Sequence, residues 1–249
     1  NDMYQKRNLD PIKYLRALNI VFMHRPYRKM PETGLAVAYL FALAKGGSDD
    51  QAELASYCYE AGIEPQRVID EIKGVIPDIK NFANPDDLNN EAYPMTMAVF
   101  RIFRASRHYR REILDKMALG SDTMLDLGNL YTAALPAWIA AGMEQALTED
   151  INLDNQEILT FGYGSGDAAE IIPFKVCKGW KTAAAKIKFA EAMAFTLDIN
   201  KKQYLNLHAG KAISGLDYKL NNEFTIDYVG NTAKNNYQDM GIEYHKYTK

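Results

Sequence analysis

Apolar and polar positions along the chain fall into short periodic blocks separated by Pro and Gly. Asp10-Pro11 opens a helical pattern from Ile12 to Leu18, with Asp10 as N-cap and Pro11 at the first helical position. Ile20-Val21-Phe22-Met23 is a continuous apolar run of β-type residues. It stops at His24-Arg25-Pro26, because proline cannot continue the strand. Pro31 to Ala44 reads as a buried helix closed by Gly46-Gly47. From Ser48 to Met117 the pattern is helical but polar-rich, with Pro65, Pro77, Pro85 and Pro94 as breaks. Leu127 to Tyr131 is turn-like and leads into an apolar helix from about Ala133 to Leu147. Glu157 to Tyr163 and Ala168 to Val176 read as strands around Gly162, Gly164 and Gly166, and Thr182 to Phe195 as a helix. The tail from Gly215 to Tyr247 alternates aromatic and polar residues, as in Phe224-Thr225-Ile226-Asp227-Tyr228-Val229, and predicts strands.

Strands mixed with helices predict an α/β layered architecture. The segments expected are 1–45, a strand-helix unit; 46–120, a helical insertion; and 121–249, a second mixed part, together forming one domain. Apolar residues make up 47% of the 249 positions and charged residues 24%, enough apolar material for a real core. The net charge of −3 lacks the basic excess of a nucleic-acid-binding surface. Cys58 and Cys177 have neither CxxC nor metal-type spacing, which predicts free thiols in a reducing compartment. No apolar run approaches the roughly 20 residues of a membrane span, and the first residues lack the apolar core of a secretory signal. The expectation is a cytoplasmic protein without membrane or nucleic-acid partners. The chain opens on Asn1 rather than methionine, and a longer parent protein is expected.

Three segments can carry chemistry. His24 stands at the carboxyl end of a buried strand, where α/β sheets open onto binding crevices, and its imidazole can bond a thioester oxygen or move a proton. Its alternative is a histidine satisfied in the core or at the surface. Asn129, in Gly128-Asn129-Leu130-Tyr131-Thr132, can offer its amide to a substrate carbonyl, or can simply serve the turn that holds it. Phe161-Gly162-Tyr163-Gly164-Ser165-Gly166 can turn sharply and present backbone N–H groups to an oxyanion, or can be a tight hairpin. It is no dinucleotide fingerprint, because strand-like residues follow the glycines. Arg101, Arg104, Arg107, Arg110 and Arg111 recur at helical spacing, as a solvated face or a phosphate-binding edge.

Taken in order, His-x-Pro-Tyr-x-Lys-Met after a strand, Gly-Asn-Leu-Tyr-Thr before an apolar helix and Tyr-Gly-Ser-Gly after a strand resemble the 3-hydroxy-3-methylglutaryl-CoA synthase family. The resemblance covers roughly residues 9 to 210 and corresponds to the carboxy-terminal half. It implies a thiolase-like layered αβαβα architecture and an acyltransferase activity: acetyl-CoA, acetoacetyl-CoA and water give 3-hydroxy-3-methylglutaryl-CoA and CoA. That reaction serves the mevalonate pathway of isoprenoid biosynthesis.

By the same resemblance, His24 helps position the acetoacetyl-CoA thioester, Asn129 binds its carbonyl and Ser165 contributes a backbone N–H to the oxyanion hole. Tyr163 and Gly164 shape that loop, Lys29 stands near the CoA entrance, and Tyr131 and Arg25 line pocket walls. A homodimer is implied, and no metal or organic cofactor.

The family's cysteine nucleophile and glutamate acid/base lie upstream of the histidine, and neither has a counterpart here. Cys58 and Cys177 match no nucleophile turn. An amino-terminal half, on the same chain or a separate one, is the expected partner. Two further departures are a link from Leu18 to Ile20 shorter than the family's, as if residues were missing, and Ala133-Ala134 in place of small polar residues. Two other readings remain open: a non-catalytic CoA-binding subunit of a thiolase-type complex, and a β-branching synthase acting on carrier-protein thioesters.

Overall fold

The structure is a computed structural model that describes residues 7–74, 92–164, 168–194, 196–211, 213–216, 218–234 and 236–249. Pro77, Pro85, Ser165 and Gly166 therefore lie outside the described residues. The chain divides into two compact units, Asn1–Ala194 and Phe195–Lys249.

The first unit opens with α1 (Pro11–Ala17), whose start is set by Asp10: its carboxylate accepts from the Ile12 and Lys13 N–H groups. Strand β1 (Ile20–Met23) follows, then α2 (Lys29–Lys45), α3 (Ser48–Glu60), α4 (Pro65–Lys73) and α5 (Pro94–Ala105). Pro65 and Pro94 each stand at the first position of a helix, where the missing N–H costs nothing. Helix α2 is apolar around most of its circumference and is correspondingly buried, with Leu35, Ala36, Tyr39, Leu40 and Leu43 in the core.

After α5 the winding changes repeatedly. Ser106 is extended and caps a single turn, Arg107–Tyr109; a π-type turn, Arg110–Leu114, and a 3-10 turn, Asp115–Met117, follow. Helix α6 (Ala134–Thr148) leads to a hairpin of β2 (Glu157–Gly164) and β3 (Ala168–Lys175).

The mixed α/β class holds. The three strands form one sheet in the order β1-β2-β3, with β1 parallel and β3 antiparallel to the central β2. Phe22 and Met23 leave β1 on opposite faces, as pleating requires. Phe22 packs on α6, where a Cβ at Gly142 would lie 2.7 Å from its ring. Met23 points to α2, where a Cβ at Gly34 would lie 3.4 Å from its Cε. The sheet is thus covered by a helix on each face, and its β1 residues are apolar without alternation.

The single helix expected from Thr182 to Phe195 is instead two short ones, α7 (Trp180–Ala184) and α8 (Phe189–Met193). The reason is tertiary: the Glu144 carboxylate on α6 accepts from the Phe189 and Ala190 N–H groups, capping a second helix start. In the second unit, α9 (Lys201–His208) opens with an Asn200/Gln203 capping box. Strand β4 (Glu223–Val229) pairs antiparallel with β7 (Glu243–Thr248), and the two-residue strands β5 (Ala233–Lys234) and β6 (Tyr237–Gln238) pair with each other.

Polar groups tie α2, α3 and the turns after α5 to α1. Arg16 reaches Asp50 at 2.5 Å and Glu53 at 2.8 Å; the Tyr39 and Tyr57 hydroxyls each donate to Glu53 at 3.2 Å; and Tyr57 meets His108 Nδ1 at 2.6 Å. Buried Lys116 donates to the carbonyls of Leu15 and Arg16 at the end of α1 and pairs with Glu112 at 2.8 Å. Burial alone would raise the Glu112 pKa, but Lys116 and Arg111 outweigh it and hold the carboxyl below the usual range.

Gly142→Ala tests the contact between β1 and α6. Alanine is the better helix former by about 1 kcal/mol, yet its methyl would strike the Phe22 ring. Urea unfolding should show a less stable protein, by about 1–3 kcal/mol of overpacking. A more stable variant would mean that Phe22 does not pack there.

Candidate functional site

The carboxyl ends of β1 and β2 open on a cavity of about 450 Å3 between the sheet and the first turns of α2. β1 delivers His24 to it. One residue past the strand, the His24 N–H still donates to the Phe161 carbonyl at 2.8 Å, so the strand pairing fixes the histidine backbone. Tyr163 lies on the neighbouring strand, and its ring centroid is 5.9 Å from that of His24. Met23, Met30, Pro31, Val37, Phe161 and Ile171 supply apolar wall. Polar groups are few: His24 and Tyr163, with Tyr27, Thr33 and Glu170. Such a cavity, mostly apolar with a few convergent polar groups, suits an organic ligand carrying a carbonyl that an imidazole or phenol can bond.

Glu170 and Thr33 escaped the reading of the sequence. Glu170 is the cross-strand partner of Gly162, so pairing the two strands symmetrically about the glycine-rich turn would have found it. Among the described residues its carboxylate has no hydrogen-bond or ion-pair partner, which leaves it open to a ligand. Thr33 reaches the cavity only because α2 crosses the sheet there, and nothing local signals that.

The other candidate residues are distributed as follows. Gly164 ends β2, opposite Ala168, and Ser165 lies outside the described residues. Asn129 is exposed and is not among the residues lining the cavity; its Oδ1 accepts the Tyr131 N–H at 2.8 Å, the Asx-turn use of such a side chain. Tyr131, 73% exposed and with φ of +51°, opens a 3-10 turn and does not line the cavity either.

Arg25 leaves the chain beside a different, smaller cavity of about 180 Å3. It is 5% exposed, lies 4.8 Å over the Trp138 ring and donates to the Ser121 carbonyl and Oγ. Burial, and then the charge of Arg28, push its pKa down. Lys29 is exposed at the start of α2 and lines a separate groove.

Neither thiol lines the cavity. Cys58 is buried in α3, and desolvation pushes its pKa up to about 11; Cys177 is exposed just past β3. Among the described residues no cluster of three or more His, Cys, Asp or Glu side chains could hold a metal ion, and no helix is long and apolar enough to cross a membrane.

Residues 106–209 match the sequence family described as hydroxymethylglutaryl-coenzyme A synthase C terminal. The chain resembles the carboxy-terminal half of a 3-hydroxy-3-methylglutaryl-CoA synthase. No curated protein matches the sequence. Among solved structures, the fold is similar to that of MvaS in complex with 3-hydroxy-3-methylglutaryl coenzyme A, with a TM-score of 0.54 and 16% identity over 94% of this chain. The chain spans 42% of that structure's length. The likeness of fold to that structure therefore extends beyond the segment matched by sequence.

The two thiols give a direct test of their environments. Iodoacetamide at neutral pH should modify Cys177 in the native protein and both cysteines after unfolding, read by peptide mass. Rapid native modification of Cys58 would contradict its buried, raised-pKa setting.

Proposed function

We propose that this chain is the substrate-recognition half of an acyl-CoA condensing enzyme of the hydroxymethylglutaryl-CoA synthase type. The observation that carries the reading is His24 beside Tyr163 in one largely apolar cavity at the strand ends. The family match over 106–209 and the likeness of fold support it. The reaction is the joining of acetyl-CoA and acetoacetyl-CoA, with water, to give 3-hydroxy-3-methylglutaryl-CoA and CoA.

In this scheme the acetyl group is carried on a cysteine supplied by an amino-terminal half, and a glutamate of that half removes the methyl proton. Dividing the reaction into acylation, condensation and hydrolysis lowers each barrier. His24 donates a hydrogen bond to the acetoacetyl-CoA thioester, and the apolar wall excludes water around it. Asn129 is assigned to the acetoacetyl carbonyl and the Ser165 N–H to the acyl oxygen. Tyr163 and Gly164 shape the oxyanion loop, Lys29 guards the CoA entrance, and Tyr131 and Arg25 are supporting groups. Asn129 must exchange its bond to the Tyr131 N–H for one to substrate to fill its role. No metal or organic cofactor enters the scheme, and a cytoplasmic homodimer in the mevalonate pathway is its setting.

The absence of a thiol from the cavity lining favours a second reading for the chain on its own, a non-catalytic subunit that binds CoA thioesters. A β-branching synthase acting on carrier-protein thioesters would use the same recognition groups.

Calorimetry with acetoacetyl-CoA tests the reading. The chain should bind the thioester, and His24→Ala should weaken binding about tenfold, the loss of about 1.4 kcal/mol. Incubation with acetyl-CoA should add no acetyl group to the intact mass, whereas a preparation with the amino-terminal half should gain one. Unchanged thioester affinity in His24→Ala would remove the role given to His24.

A further inference from the structure

Beside the cavity, on the other side of the segment that opens α2, runs a groove of about 360 Å3. Arg28 and Lys29 line it from the start of α2, Arg104 from the last turn of α5, and Arg110 from the π-type turn that follows. These are four cations from three elements, facing one carboxylate, Glu32. The concentration is local, because the chain as a whole carries a formal net charge of −3. Glu32 is already engaged: it lies 3.6 Å from Arg28 Nε, and its charge, opposed by that of Arg104, acts on the Tyr109 hydroxyl. Arg110 approaches Asp115 only at 3.8 Å, with both side chains largely exposed, a contact worth little in water. Among the described residues, neither Lys29 nor Arg104 forms an ion pair with a carboxylate. Ser106 adds a hydroxyl to the lining.

We propose that this groove is a site for a phosphoryl anion, held by Arg28, Arg104 and Arg110 as guanidinium forks with Lys29 as a point charge. Guanidinium groups match phosphate oxygens in pairs, and convergence from separate elements distinguishes a site from a solvated helix face. The break at Ser106 makes the distinction concrete. Arg104 and Arg110 turn into the groove, whereas Arg111 pairs with Glu112 at 2.7 Å.

The phosphoryl group has two sources: the phosphates of a CoA thioester whose acyl end occupies the His24 cavity, or a separate phosphorylated ligand. The first rests on the proposed function; the anion site itself does not. Tyr27 and Met30 line the cavity while Arg28 and Lys29 line the groove, so one ligand passing over this turn would touch both.

The test uses the full chain and inorganic pyrophosphate, followed by calorimetry at low salt. Pyrophosphate should bind, more weakly as salt is added, and Arg104→Gln with Arg110→Gln should weaken it at least tenfold. Arg107→Gln, exposed and outside the groove, should leave it unchanged. Competition then separates the sources. Displacement by CoA but not by S-acetylpantetheine assigns the site to the CoA phosphates, and displacement by neither assigns it to a separate phosphorylated ligand. Binding of S-acetylpantetheine itself, weakened by His24→Ala but not by the arginine variants, reports on the cavity independently of the groove. No pyrophosphate binding, or equal binding by wild type and the Arg104/Arg110 variant, overturns the proposal.

Discussion

The contact between Phe22 and Gly142 is the constraint on which the site depends. Trp138 packs T-shaped with the Phe22 ring at 5.9 Å between centroids, donates its indole N–H to the Leu119 carbonyl, and has the Arg25 guanidinium over its ring. Gly120 adds a second close approach: a Cβ there would lie 2.4 Å from the Gly142 nitrogen, and Gly120 has φ of +69°. Two glycines meeting in this way let backbone approach backbone where any side chain would intervene. The result is that β1 is clamped on the α6 side up to Arg25. His24, between Phe22 and Arg25 in the chain, is carried to the strand end by that clamp and by its backbone bond to β2.

The helices after β1 are held by a different kind of interaction. Arg16, Asp50, Glu53, Tyr39, Tyr57 and His108 form a part-buried polar network across α1, α2, α3 and the turn after α5. Ionic networks of this kind contribute little net stability but are costly to break singly, because the remaining charge is left without its partner. They serve here to fix which helices meet. Lys116, bonding the last carbonyls of α1 while paired with Glu112, fixes the π-type turn against α1 in the same way. That turn carries Arg110 into the groove, so the placing of the turn against α1 also places one of the cations.

The cavity and the groove share the short segment from Met23 to Pro31, yet their chemistry is opposite. One is an apolar pocket with an imidazole, two phenols, a threonine and a carboxylate; the other is cationic and open to water. A thioester with a charged tail presents the same division, an acyl end to be desolvated and phosphates to be matched by cations. Neither cysteine lines either place.

Elements governed by local chemistry were legible in the sequence. Asp10-Pro11 dictates the start of α1, Pro65 and Pro94 the starts of α4 and α5, and Gly46 the end of α2, since each acts within one turn of its own position. The apolar run at β1, its stop at His24 and the β2–β3 hairpin follow equally from nearest neighbours. What only the tertiary structure decided are relations between distant segments: Glu144 splitting the helix after Trp180, Glu170 brought opposite Gly162, and Arg28 brought alongside Arg104 and Arg110. Asn129 shows the limit from the other side, for its Asx turn is as local as a helix cap and leaves it outside the cavity lining. Caps and strand breaks are set by the few backbone groups next to them, whereas a pocket is set by which side chains pack across it, and one chain's pattern does not state its own partners.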